Sequence, residues 1–197
     1  WKYTFGGADE NSNVLSDTWE WDSATMTWSQ LLPAHSPPAR GGHAMVYDEL
    51  RDSLVLFGGY GSDTLGDTWE YQNGEWQLRD CAGPAPRSSH TMVYDSLRGV
   101  TVLFGGYDSG VYFGDTWEWD GIAWALVSES GPSPRRDHAM ALDRERGRMT
   151  LFGGYDNRAL ADTWEWDGAD WTYRDAPGPS PRSYHVLSYD ENRALSV

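Results

Sequence analysis

The sequence predicts an all-β fold of repeated four-stranded antiparallel sheets, and three observations predict it. The stretch 101–119, TVLFGGYDSGVYFGDTWEW, has three further copies: WKYTFGG with DTWEW over 1–21, LVLFGGY with DTWEY over 54–71, and TLFGGY with DTWEW over 150–166. Three markers share one period. The double glycines begin at Gly6, Gly58, Gly105 and Gly153, 52, 47 and 48 residues apart, and the aspartates Asp17, Asp67, Asp115 and Asp162 are 50, 48 and 47 apart. His43, His90, His138 and His185 follow at 47, 48 and 47. Finally, the aromatic-rich run alternates: Trp117 and Trp119 fall on one face, Thr116 and Glu118 on the other, which is strand periodicity.

Four strands are expected per period. The first is HTMVYD, 90–95, with His90, Met92 and Tyr94 on one face. The turn SLRG leads to VTVLFGG, apolar at nearly every position, as in a strand covered on both faces. DTWEW is the third. Asn73-Gly74, Asp120-Gly121 and Asp167-Gly168 predict tight two-residue hairpins, because glycine and Asn or Asp tolerate positive φ; the first repeat has a longer turn at 23–25. A fourth strand starts at Trp28, Trp76, Trp124 or Trp171, and a Pro-rich connection returns to the next repeat. One such sheet cannot bury both faces, so successive sheets stack. Stacked radially they form a β-propeller, with the Trp residues between blades, each burying about 150–250 Å².

The repeats divide the chain as 1–35, lacking its first strand, then 36–82, 83–130 and 131–177, with 178–197 opening another. The whole, 1–197, reads as a single propeller region. A four-bladed ring closed by HVLSYD, 185–190, overlaps itself by about three residues when the histidines are aligned. The expectation is therefore a window of a larger ring, or chains that complete a ring together.

Twelve Trp and eleven Tyr are too many for a solvated coil. Fifteen basic against thirty acidic residues give a net charge of −15, which argues against a nucleic-acid backbone as partner. No membrane insertion is expected, since long uninterrupted apolar runs are few. Cys81 is the only cysteine, so no intrachain disulfide forms.

A double glycine after an apolar strand, then an aromatic and a Trp a few residues on, repeated every 47 to 52 residues over essentially the whole chain, resembles the kelch repeat. Trp21, Trp119 and Trp166 stand where that family usually has Tyr, which only Tyr71 keeps. The resemblance implies a propeller of usually five to seven blades. Some kelch-like propellers are copper oxidases with a Tyr, Cys and His centre; Cys81, single and in a proline loop, does not fit that role.

In a propeller the loops joining strand 2 to 3 and strand 4 to 1 share one face. The 2–3 loops here, ADENSNVLS, YGSDTLG, YDSGVYFG and YDNRALA, are the variable segments, and variation on a fixed scaffold builds binding surfaces. Tyr60, Tyr107, Tyr112 and Tyr155, beside Gly and Ser, are the expected contact aromatics. Arg40, Arg87, Arg135 and Arg182 recur once per repeat three residues before each His. They are expected as ligand anchors at the channel mouth or as supports of the tyrosines, with a salt bridge between blades to Asp67 or Glu70 and their equivalents as the structural alternative. The histidines, one per blade, suit hydrogen bonding at the strand start better than zinc, and the loop acids form no calcium-binding run.

There is no Gly-x-Ser-x-Gly, no His-Glu-x-x-His and no phosphate loop. The expected function is a non-enzymatic binding or interaction module for a protein, peptide or glycan, with no catalytic residue, metal or cofactor. Two alternatives stand beside it: a structural repeat in a surface or filament assembly, and a propeller-borne oxidase or lyase with residues outside this window. Acidity, Trp content and the absence of sequons resemble secreted bacterial kelch proteins, so an extracellular or cell-surface location is expected, with the cytoplasm as alternative.

Overall fold

The structure, a computed structural model, describes residues 2–190, and 195–196 as backbone. No helix occurs among the described residues. The first sheet is β1 (Lys2–Phe5), β2 (Thr18–Asp22) and β3 (Thr27–Leu31), in that order. The second is β4 (Ala44–Asp48), β5 (Ser53–Tyr60), β6 (Thr64–Gln72) and β7 (Glu75–Arg79). In the third, β8 (Thr91–Asp95) and β9 (Val100–Phe104) are followed by a two-stranded ribbon, β10 (Tyr107–Asp108) and β11 (Val111–Tyr112), before β12 (Thr116–Trp119) and β13 (Trp124–Ser128) complete the sheet. The fourth is β14 (Ala139–Asp143), β15 (Arg148–Tyr155), β16 (Ala159–Trp166) and β17 (Trp171–Arg174). Last come β18 (Tyr189–Asp190) and β19 (Leu195–Ser196), so only the end of the HVLSYD stretch is strand. All pairings are antiparallel, β4, β8 and β14 stand side by side on the inner edge, and β14 also meets β18 and β19. These are propeller blades.

One apolar core lies between each pair of consecutive blades. Phe5 meets Leu54, Leu56, Tyr71 and Trp76; Val55 and Phe57 meet Met92, Leu103, Trp119 and Trp124; Val102 and Phe104 meet Met140, Met149, Leu151 and Trp166. Adjacent residues of β5 thus serve opposite cores, which explains why that strand is apolar throughout. The outer-strand indoles lock the junctions. Trp76, Trp124 and Trp171 stack edge-on against Phe5, Phe57 and Phe104 of the preceding blade, at 5.2, 5.3 and 5.2 Å between centroids. Their Nε1 atoms donate to Thr18, Thr68 and Thr116 Oγ1 at 3.0, 2.8 and 2.9 Å. Truncating such an indole to Ala costs about 3–5 kcal/mol.

One local expectation needs correction and another is extended. Only Asn73-Gly74 is a two-residue hairpin, both residues at positive φ (53° and 85°), between the paired Gln72 and Glu75. At Asp120 the strands end on the Trp119 and Trp124 pair, four residues intervene, and the Asp120 carboxylate accepts the Ile122 and Ala123 amides; Asp167 does the same for Ala169 and Asp170. An Asp side chain that captures its own downstream amides favours the longer turn. The histidines, in turn, do more than hydrogen-bond at the strand start: His43, His90, His138 and His185 set their rings edge-on to Phe5, Phe57, Phe104 and Phe152 of the preceding blade, and the Phe57 and Phe152 backbones also interact with His90 and His185.

Candidate functional site

The double glycine aims the site. Gly58 and Gly59 take φ of 64° and 101° and shift the register between β5 and β6, a bulge that swings Tyr60 towards the inner edge. There Tyr60 exchanges backbone hydrogen bonds with Gly41 at 2.9 and 2.8 Å. Tyr107 pairs with Ser88 and Tyr155 with Arg136 in the same way. Glycines at 41 and 42 leave room for the Tyr60 ring, which a Cβ at either position would approach to 3.0 or 3.1 Å.

The next residue in each connection, Gly42, Ser89, Asp137 or Tyr184, has φ of 54–60°. This turns its carbonyl along the rim. Ser89 N donates to Gly42 O at 2.8 Å, Asp137 N to Ser89 O at 3.0 Å, and Tyr184 N to Asp137 O at 3.0 Å. A chain of backbone hydrogen bonds therefore runs from blade to blade, and it fixes the side chains set between it and the tyrosines.

These side chains enclose a cleft of about 790 Å³ lined by Tyr60, Tyr107, Tyr184, Ser88, Ser89 and Arg136 among others. Arg136 lies between two rings, its guanidinium carbon 5.0 Å from the Tyr107 centroid and 5.4 Å from that of Tyr155. Its Nε is 3.5 Å from Asp137 Oδ2, and the negative charge of Asp137, with burial, raises the Tyr184 hydroxyl pKa. The deeper wall carries His43, His90 and His138, kept neutral by burial and then by the neighbouring buried arginine, with pKa values lowered to about 4, about 3 and about 3. Aromatic faces, hydroxyls, one guanidinium and one carboxylate form a surface for noncovalent recognition. Among the described residues no group of three or more His, Cys, Asp or Glu is placed to hold a metal ion.

Of the expected contact tyrosines, Tyr60 and Tyr107 line the cleft, and Tyr155 lies beneath Arg136. Tyr112 stands at the edge of the site: its ring packs on Tyr107 at 5.1 Å, its hydroxyl reaches Asn157 Oδ1 at 3.4 Å in the next 2–3 loop, and it lies close enough to Arg136 to help hold that guanidinium charged.

The expected arginine ring at the mouth is corrected. Arg40, Arg87 and Arg135 are 0–1% exposed and cannot touch a ligand. Each forks onto an aspartate of its own blade, Arg40 onto Asp67 (2.6 and 2.8 Å), Arg87 onto Asp115 (2.6 and 3.0 Å) and Arg135 onto Asp162 (2.7 and 2.7 Å). The salt bridge is thus within a blade, not between blades. Each also donates to the carbonyl of the first glycine of its repeat at 2.9, 3.1 or 3.0 Å. Burial pushes the three carboxyls up, but the hydrogen bonds from the arginine and from the nearby indole outweigh it and hold them below the usual carboxylate range. Arg182 differs: it is exposed, and its guanidinium donates only to Ser180 O (3.0 Å) and Oγ (3.1 Å) among the described residues.

Sequence reasoning missed Arg136, Asp137 and Tyr184. The signal was present in the two positions between each Arg and His, read as Gly-Gly, Ser-Ser, Arg-Asp and Ser-Tyr in four otherwise matching connections.

A family model described as the KLHDC2/KLHL20/DRC7 Kelch-repeats domain matches residues 2–197. A curated relative, the Rab9 effector protein with kelch motifs of Xenopus laevis, is 36% identical over 66 residues, 32% of this chain and 18% of that protein. The match thus covers less than a fifth of that relative's length. Kelch-repeat domains generally mediate protein–protein interaction.

Proposed function

Since the chain belongs to the kelch-repeat family, we propose that it is a protein-binding module whose rim cleft holds an extended peptide segment of its partner. The observation that carries this reading is the placement of Tyr60, Tyr107 and Tyr184 around Arg136 on a hydrogen-bonded rim. Tyrosines offer broad, amphipathic contact with few rotors, and a rim held by backbone hydrogen bonds loses little entropy on binding. Arg136 and Asp137 provide one cation and one anion for polar groups of a peptide, while the neutral histidines add no competing charge. A relative named for its role as a Rab9 effector is consistent with a protein partner, and only that class is carried over.

The test is selection of a random peptide library on the chain, followed by calorimetry of recovered peptides against Tyr60→Ala, Tyr107→Ala and Arg136→Ala. The reading expects each variant to weaken binding about tenfold or more. Peptides that bind all three variants as well as the parent, or a glycan array that binds where peptides do not, would overturn it.

A further inference from the structure

The outer strand of each blade is a sheet edge, with backbone N–H and C=O groups turned away from its one partner strand. Charged side chains along such an edge keep other strands off it. The second and fourth blades follow that rule. β7 carries Glu75 and Arg79 and runs on into Asp80, and β17 ends on Arg174, followed by Asp175. Arg79 Nε donates to Glu70 at 2.8 Å and Arg174 Nε to Glu165 at 2.8 Å, so the neighbouring strand holds each guanidinium in place beside the edge.

The third blade departs from it. β13 reads WALVS, with Val127 in the place of Arg79 and Arg174, and Ser128 in the place of Asp80 and Asp175, when the outer-strand indoles are aligned. Ala125, Leu126 and Val127 are all exposed, Leu126 by 44% and Val127 by 37%. β3 is also uncharged but presents the polar Ser29 and Gln30. Among the described outer strands, β13 is therefore the one whose open edge is apolar and uncharged over three consecutive positions. None of its residues lines the rim cleft.

We propose that β13 pairs antiparallel with β13 of a second copy about a two-fold axis at Leu126, joining two four-stranded blades into one continuous sheet. The strand is complementary to itself. In this register Leu126 meets Leu126 of the second copy on one face, while on the other Ala125 meets Val127, a small side chain opposite a larger one on both sides of the axis. Trp124 stands opposite Ser128. No like charges are opposed, and Glu129 of each copy falls opposite Ala123 of the other, at the two far ends of the paired strands. The contact is isologous, so it closes on itself and stops at a dimer. It joins only five residues of each strand, and each copy carries a net charge of −15. The dimer is therefore weak, and salt strengthens it by screening that repulsion.

Sedimentation velocity of the 197-residue chain over a range of micromolar concentrations, at low and high salt, tests this. The parent forms a dimer and nothing larger as concentration and salt rise. Val127→Arg gives β13 the residue that β7 and β17 already have, in the strand position that sets Arg79 beside Glu70, and weakens dimerisation about tenfold or more. Leu126→Lys, which opposes two like charges on the axis, does the same; thermal unfolding checks that both variants fold. Hydrogen exchange reads the backbone directly: amides within 124–128 slow as the parent dimerises and stay fast in Val127→Arg at the same concentration. A parent that stays monomeric throughout overturns the proposal. So does a dimer that both folded variants leave intact, or one whose formation leaves exchange at 124–128 unchanged.

Discussion

Arg87 and Asp115 form a bidentate ion pair, 2.6 and 3.0 Å long, in which the guanidinium is 1% exposed and the carboxylate 21%. The same guanidinium ties the Gly105 carbonyl at 3.1 Å and lies 4.0 Å from the Phe113 ring centroid, so one residue joins the 4–1 connection, the double glycine and the third strand. Arg87→Ala leaves a half-buried carboxylate without its partner and is expected to cost on the order of 3–5 kcal/mol. Arg87→Lys restores the charge without the fork and recovers less than half of the loss. Urea unfolding measures both; a lysine variant as stable as the parent would show that charge alone matters.

The buried histidines predict a particular acid response. The folded chain keeps His43, His90 and His138 neutral down to about pH 4, 3 and 3, whereas the unfolded chain protonates them below about pH 6.5. Their effect on stability is therefore absent above pH 6.5 and grows as a penalty all the way down to pH 3–4. Each contributes a slope of roughly 1.4 kcal/mol per pH unit within that window. The contribution of Asp67, Asp115 and Asp162 is kept to lower pH and lost only as the pH falls from about 4 through their depressed folded values. Unfolding temperatures should fall from pH 6.5 downward, and His138→Leu should reduce the slope by one proton. A flat profile between pH 6.5 and 4.5 would contradict buried neutral imidazoles.

Glycines at positive φ separate into two kinds. Gly58 has φ of 64°, and a Cβ there would meet the Arg87 carbonyl at 2.5 Å and His90 Cε1 at 3.0 Å. Gly110 in the ribbon turn has φ of 94° and nothing within 4 Å. Gly110→Ala carries only the backbone strain, about 1 kcal/mol. Gly58→Ala adds a clash with a neighbouring blade's backbone and should cost several times more. Equal losses in chemical denaturation would mean that the junction yields at this contact.

Tyr107→Ala and Tyr155→Ala should act on binding in different ways. Tyr107 lines the cleft, so its loss removes contact area. Tyr155 acts through Arg136, whose guanidinium it supports. The Tyr155 variant should therefore lose affinity only where Arg136 contributes, and Tyr155→Ala with Arg136→Ala should lose little more than Arg136→Ala alone. Calorimetry of one peptide across that cycle measures it, with unfolding curves to separate affinity from stability.

The sequence by itself determined the blades. A 47–52-residue period in three independent markers, the alternation of DTWEW and the all-apolar strand before each double glycine are local patterns that only stacked sheets satisfy, so the four-stranded repeat, the strand order within it and the burial of Trp76, Trp119 and Trp166 were legible in the sequence, whereas the β10–β11 ribbon and the short β18 were not. Tertiary structure alone decided the roles of residues whose neighbours are far apart in the chain. Arg87 and Asp115 are 28 residues apart; spacing could not tell whether that guanidinium faced a ligand or turned inwards onto its own blade. His90 lies against Phe57, a ring of the preceding blade, so its imidazole packs across the junction between blades. The rim of Ser89, Asp137 and Tyr184 depends on left-handed backbone at residues with no sequence requirement for it, held by hydrogen bonds between blades. Periodicity records what every repeat shares, whereas the cleft is built from the positions at which the repeats differ.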